Sequence, residues 1–262
     1  VSVPFLQHVD LLDLHGRAAV ASLAQLQPGD RVPPRDASTR EVIADHWATL
    51  EIWAWSLENP TGHWSTRDEP DSPADHTALV AGVAAQLDRI EAALLKSGPD
   101  APIDYFGEPG TTSQVARLLA HETITVGYAT SRAAGRTSPT LAPAVAADGI
   151  DQALGHWNAP DASDTWRPET VALRASDTGA TWHLGVSRAQ PGGLPEIRLV
   201  PEGDPQVMVK AVATDLLWWL HGHAPADGTV SVSGDPEALH ALRSSLMHPV
   251  PEPPRKRRRW FG

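Results

Sequence analysis

The chain has 262 residues, 41% hydrophobic and 20% charged, a balance that supplies a globular core and suits one large domain or two smaller ones. It has no cysteine, which excludes disulfides, a thiolate nucleophile and Cys-ligated zinc or iron–sulfur centres, and no apolar run approaches the roughly 18 residues of a membrane span. Its 21 basic and 32 acidic residues give a net charge of −11; setting aside the five consecutive basics Arg255–Arg259 leaves 16 against 32, an acidic body that argues against nucleic acid as its ligand.

The opening Val1-Ser-Val-Pro-Phe-Leu lacks the basic stretch and small-residue cleavage site of a secretory signal, so a cytoplasmic protein is expected. From Phe5 to Gln27 the apolar residues Val9, Leu12, Ala19 and Leu23 recur at helical spacing, up to the breaker Pro28-Gly29-Asp30. His8 and His15 lie seven apart on this helix near Asp10 and Asp13, and are expected at its surface. Pro33-Pro34 is expected to keep the following linker extended. Ser38 or Thr39 then caps a second helix, with Glu41 placed to close a capping box and Ile43, Trp47, Leu50 and Ala54 as its apolar line. A third helix is predicted from Ser72-Pro73 to Ser97 on Leu79, Val83, Leu87, Ile90 and Leu94. A connection over 101–110 follows, and a fourth helix runs from Thr111 to Ala134. Four amphipathic helices of this length imply a four-helix bundle.

Beyond Pro139 the pattern changes. A helix is expected over Ala144–Trp157. Strands follow at Thr170–Arg174 and Thr181–Val186, joined by the hairpin signal Ser-Asp-Thr-Gly, and then at Ile197–Val200. Val207–His221 reads as a helix with Val209, Val212, Leu216, Leu217 and Leu220 on one face. Thr229–Ser233 reads as a strand and Pro236–Met247 as a last helix. The predicted class is therefore α+β, with a helical bundle over 1–155, a small α+β domain over 163–250 and a basic, Pro-rich tail over 251–262. A solvated tail is expected, with Trp260 and Phe261 as its apolar residues.

The fourth helix carries Arg117-Leu-Leu-Ala-His-Glu-Thr-Ile-Thr-Val-Gly-Tyr-Ala129. This resembles the signature helix of the mycothiol-dependent maleylpyruvate isomerase family, within the DinB-like superfamily, which runs roughly R-x-x-A-H-E-T-x-x-H-R-x-D. Arg117, Ala120, His121, Glu122 and Thr123 match its first half, and the preceding Gly-Glu-Pro-Gly-Thr resembles the family's approach to that helix. The second helix resembles the family's other signature. Leu199-Val-Pro-Glu-Gly, the Ala213–Gly222 segment and Val230-Ser-Val-Ser-Gly-Asp resemble its small sterol-carrier-like C-terminal domain. The resemblance implies a DinB-like bundle followed by that module, in a cytoplasmic enzyme acting on a small organic substrate.

The resemblance also implies a divalent metal held by a helix-2 His with a Glu and a His four residues apart on helix 4, and mycothiol as the thiol cofactor. Residues at i and i+4 share a helix face, which is why such a pair can converge on one ion. The sequence departs from the pattern at Val126, which stands in the second helix-4 ligand position, and at Gly127 and Ala129, where the family has Arg and Asp. The helix-2 position is Asp45 or His46, depending on which end of the helix is aligned; they point about 100° apart, so only one can face the centre. The expected site is therefore a pair without a resident metal: Glu122 with His46 or Asp45 as catalytic acid and base. Trp47, Trp53, Trp55, His121 and Val126 are expected to contact substrate. If a metal is retained, His46 and Glu122 would hold it. Isomerisation, cyclisation or elimination are the matching reactions; a non-catalytic ligand-binding or regulatory protein is the alternative. The sequence carries no G-x-S-x-G elbow, Walker loop or dinucleotide fingerprint.

Overall fold

The computed structural model describes residues 3–157, 168–187, 197–224 and 226–246. The basic tail, with Arg255–Arg259, Trp260 and Phe261, lies outside the described residues, as does Met247. The protein is α+β, and the chain divides into two compact units, Val1–Leu141 and Ala142–Gly262.

The first unit is a four-helix bundle of α1 (Phe5–Leu23), α2 (Thr39–Glu58), α3 (His76–Ser97) and α4 (Thr112–Ala133). Each helix starts where its chemistry allows. The Ser38 hydroxyl accepts from the Glu41 backbone N–H at 3.3 Å while the Glu41 carboxylate accepts from the Ser38 N–H at 2.7 Å, closing the expected capping box on α2. Asp75 accepts from the Ala78 N–H at 2.8 Å and so starts α3 at His76, three residues later than Ser72-Pro73 had suggested. At α4 the Gln114 side chain accepts from the Thr111 N–H at 2.8 Å.

Contacts between helices fix their directions. His8 meets His121, a Cβ on Gly127 would meet the His15 carbonyl, and Ser22 meets Ser131, so α1 and α4 run parallel. Arg40 reaches the Ala74 carbonyl, Trp47 lies against Gly82, and Glu58 pairs with Arg89, so α2 and α3 also run parallel. Parallel neighbours cannot be joined by a tight turn, which accounts for the long crossover of residues 59–75. Leu12, Ile43, Leu50, Leu79, Ile90 and Leu119 form the centre of the core.

Two short antiparallel ladders elaborate the bundle: β1 (Arg31–Val32) with β2 (Ala37–Ser38), and β3 (Pro102–Tyr105) with β4 (Glu108–Thr111). Both correct the sequence reading. Residues 33–36, with a cis Pro33–Pro34 bond, turn between β1 and β2 rather than running extended. The connection over 101–110 is a hairpin whose two turn residues, Phe106 (φ 58°) and Gly107 (φ 87°), both adopt the left-handed backbone of a tight hairpin turn. α1 also ends at Leu23 rather than Gln27.

The second unit contains α5 (Pro143–Trp157), which groups here rather than with the bundle over 1–155. It packs against α6 (Ala213–Leu220). The sheet has the order β7-β6-β5-β8-β9, built from β5 (Glu169–Ala175), β6 (Thr181–Val186), β7 (Ile197–Leu199), β8 (Val207–Ala211) and β9 (Ser231–Gly234). Among the described residues only the β5–β8 pair is parallel, and α7 (Pro236–Ser245) lies against β5, β6 and β8. The helix expected over Val207–His221 is corrected: its first five residues are β8 and only Ala213–Leu220 is helical. Val207, Val209 and Ala211 alternate inward on β8, a period-2 pattern whose Val209 also fits a helical line through Val212 and Leu216. Among the described residues no helix is long and apolar enough to cross a membrane.

Candidate functional site

α2 and α4 bring the two sequence-predicted acid–base residues together. His46 is 2% exposed, and its Nδ1 lies 3.7 Å from Glu122 Oε1. The orientation follows from the apolar line of α2: Ile43, His46, Leu50 and Trp53 are all buried, whereas Asp45 points to solvent. The choice between Asp45 and His46 is thereby settled in geometry, with His46 on the inner face. Glu122 continues the line Val115, Leu119 and Ala129 on α4, but its side chain is 31% exposed, so the pair joins a buried imidazole to a carboxylate that solvent can reach.

Neither ring nitrogen of His46 makes a hydrogen bond to a described residue, and 3.7 Å is too long for one to Glu122. A buried imidazole with both nitrogens unsatisfied carries a desolvation cost that a bound polar group would relieve. The Thr123 hydroxyl, fully buried one residue on from Glu122, is likewise unbonded to any described residue.

The donor set bears on a metal directly. His46 and Glu122 supply one nitrogen and one carboxylate, and Val126, one turn further along α4, supplies no donor atom. The residues present do not fit the three-ligand divalent centre that the resemblance implies, because two ligands from different helices hold an ion weakly and leave it poorly positioned.

The remaining predicted contact residues are dispersed. Trp47 faces α3, where a Cβ on Gly82 would come within 2.9 Å of its indole nitrogen. Trp53 packs on the hairpin aromatics, 5.7 Å from the Tyr105 ring and 5.3 Å from the Phe106 ring, and Trp55 lies against Gly62 in the crossover. These three indoles point to different neighbours and do not close a common wall. Val126 is half-buried beside the pair. His121 is buried and turned towards α1, with its ring 5.7 Å from that of His8.

α1 contradicts the expectation of surface histidines. His8 is 3% and His15 2% exposed. Burial, reinforced by the neighbouring His121, lowers the His15 pKa to about 4, so its ring is neutral at physiological pH. The signal was present in the sequence, since His8, Leu12, His15 and Ala19 share one helical face. Also missed is a buried ion pair, Glu51 on α2 with Arg67 in the crossover at 3.0 Å, their side chains 9% and 5% exposed. Glu51 follows Trp47 by one helical turn, but nothing in the sequence identifies a partner sixteen residues on.

No family model matches the chain, and no curated protein matches it. Among solved structures it is similar to the mycothiol-dependent maleylpyruvate isomerase, with a TM-score of 0.61 at 12% identity, covering 89% of this chain and 95% of that one. It is also similar to a histidine-to-alanine variant of that isomerase, with a TM-score of 0.60 at 14% identity and the same coverage. At this identity the likeness establishes a shared fold across nearly the whole of both chains.

Proposed function

We propose that the protein is an enzyme that moves protons on a small organic substrate, using His46 and Glu122 as its acid–base pair and no resident metal. The observation that carries this reading is the pair itself: a buried imidazole whose two nitrogens have no hydrogen-bond partner among the described residues, 3.7 Å from a carboxylate that solvent can reach. A substrate entering beside Glu122 would supply the missing hydrogen-bond partners. Apo catalytic contacts are often long and tighten when the substrate binds. Glu122 would then take a proton from one carbon or oxygen of the substrate, and His46 would deliver one at a second position. That division of labour suits isomerisation, elimination or cyclisation.

The shared fold supports a relationship to the isomerase in architecture, and Val126 marks where the chemistry would diverge. Mycothiol remains a candidate co-substrate: the chain has no thiol of its own, so addition to an alkene would need an external one. The test is turnover of unsaturated small acids and their neutral analogues, with and without mycothiol, in the wild type and in Glu122→Gln, His46→Ala and Asp45→Ala. Glu122→Gln and His46→Ala are expected to lose at least about tenfold, the low end for an acid–base group, while Asp45→Ala stays at wild type. Full activity in Glu122→Gln would refute the assignment. A co-purifying ligand that binds unchanged in both variants, with no turnover of any compound, would favour a non-catalytic binder.

A further inference from the structure

Contacts on every helix mark out the layer of the bundle that holds the His46–Glu122 pair. Glu122 on α4 faces His46 on α2, the adjacent Trp47 lies against Gly82 on α3, and His121 on α4 meets His8 on α1. One helical turn to either side of these contacts takes in residues 5–12 of α1, 42–50 of α2, 78–86 of α3 and 118–126 of α4. All of these residues are described. Asp10, Asp45 and Glu122 are the acids among them, and none is Lys or Arg.

The basic residues just beyond this layer are turned to other partners. Arg17 is exposed and pairs with Asp13 at 2.6 Å, and Arg40 donates to the Ala74 carbonyl at 2.8 Å. Arg117 lies five residues before Glu122, about 140° round the helix from it. Inside the layer Ile43, Leu50, Leu79, Val83 and Leu119 are buried and apolar.

These surroundings discriminate between charges. A carboxylate brought to His46 would lose its hydration, find no cation among the described residues of the layer and approach the carboxylate of Glu122. An ammonium could pair with Glu122, but it has no acceptor atom. His46 calls for one: in either protonation state an imidazole carries at least one N–H, and neither ring nitrogen has a partner among the described residues. An uncharged carbonyl oxygen accepts from that N–H and costs far less to desolvate than an ion.

We propose that the site takes an uncharged carbonyl compound, a ketone, ester or amide on a small apolar body, rather than a carboxylic acid. The carbonyl oxygen would accept from His46, and the body would lie among the apolar side chains of the layer. The proposal rests on the reading of His46 and Glu122 as the site and adds the charge class of what they receive.

The test is calorimetric titration of the full chain at pH 7 with cyclohex-1-ene carboxamide, cyclohex-1-ene carboxylate and cyclohex-1-enylmethylammonium, which share a ring and differ in charge. The amide is expected to bind saturably, at least about tenfold more tightly than either ion. His46→Leu removes the donor and is expected to weaken the amide at least about fivefold. Glu122→Gln removes a charge from a partly exposed position, which keeps the fold intact if His46→Leu does not fold. It is expected to strengthen the carboxylate at least about threefold relative to the amide. The proposal is overturned if the amide does not bind, or binds no better than either ion. It is equally overturned if folded His46→Leu binds the amide as the wild type does, or if Glu122→Gln leaves the preference unchanged. Binding is the readout here, so the acid–base reading is judged separately, by the turnover of Glu122→Gln and His46→Ala.

Discussion

Val126 occupies the turn of α4 next to Glu122, so a histidine there would place an imidazole on the same helix face as the carboxylate and within reach of His46. Val126→His is therefore expected to gain close to one equivalent of tightly held zinc per chain, read by elemental analysis after dialysis, where the wild type retains little. Equal retention by both proteins would show that Val126 is not what separates this site from a three-ligand centre. His15 sets a second expectation. Its pKa falls from 6.5 in the unfolded chain to about 4 in the fold because burial, and then His121, disfavour the cation. The fold binds that proton less readily than the unfolded chain does. The associated stability is therefore fully present above pH 6.5 and is lost as pH falls from there towards 4, by roughly 3 kcal/mol. Urea denaturation across this range should show that slope in the wild type and a shallower one in His15→Leu. An identical slope in both would remove His15 from the account. These residues also show how far one sequence reaches. The apolar lines of α2 left Asp45 and His46 both open, because the two faces differ little in apolarity, whereas His8 and His15 fall on the face of Leu12 and Ala19, a periodicity that already pointed inward.

At the scale of elements, the α1–α4 seam depends on close approach. A Cβ at Gly127 would lie 3.1 Å from the His15 carbonyl, a backbone atom that cannot rotate away. Gly127→Ala is expected to cost about 1–3 kcal/mol through separation of the two helices. Gly155 on α5 has nothing within 4 Å of the same position, so Gly155→Ala should instead stabilise by about 0.5–1 kcal/mol. Thermal and chemical denaturation of the two variants compare these directly; stabilisation by Gly127→Ala would contradict the packing. The same seam explains Gly127 better than any loss of function does: where the resembled pattern has an arginine, this bundle has no room for one. The long helices were legible because their apolar lines repeat over several turns and their caps are explicit, as at Ser38 and Glu41. The 101–110 hairpin was not, because its turn places Phe at a position where the usual signal is Asn or Gly. β8 was misread because five residues are too few to separate a period of 2 from one of 3.6.

For the whole molecule, the division into a helical bundle and a sheet unit could be read from the change of texture near Pro139. The assignment of α5 to the second unit could not, since an amphipathic helix does not record which core its apolar face joins. The fold is shared with the isomerase over nearly the full length, so fold alone does not tell what this chain does, and function has to be argued from the site. The central claim is that proton transfer by His46 and Glu122 needs no bound metal. Once a turned-over substrate is in hand, the direct measurement is that activity before and after exhaustive chelation, with metal content determined on the same samples. The account predicts substoichiometric metal and unchanged turnover in the chelated protein. Stoichiometric zinc or iron, with turnover abolished on its removal and restored on its return, would contradict it.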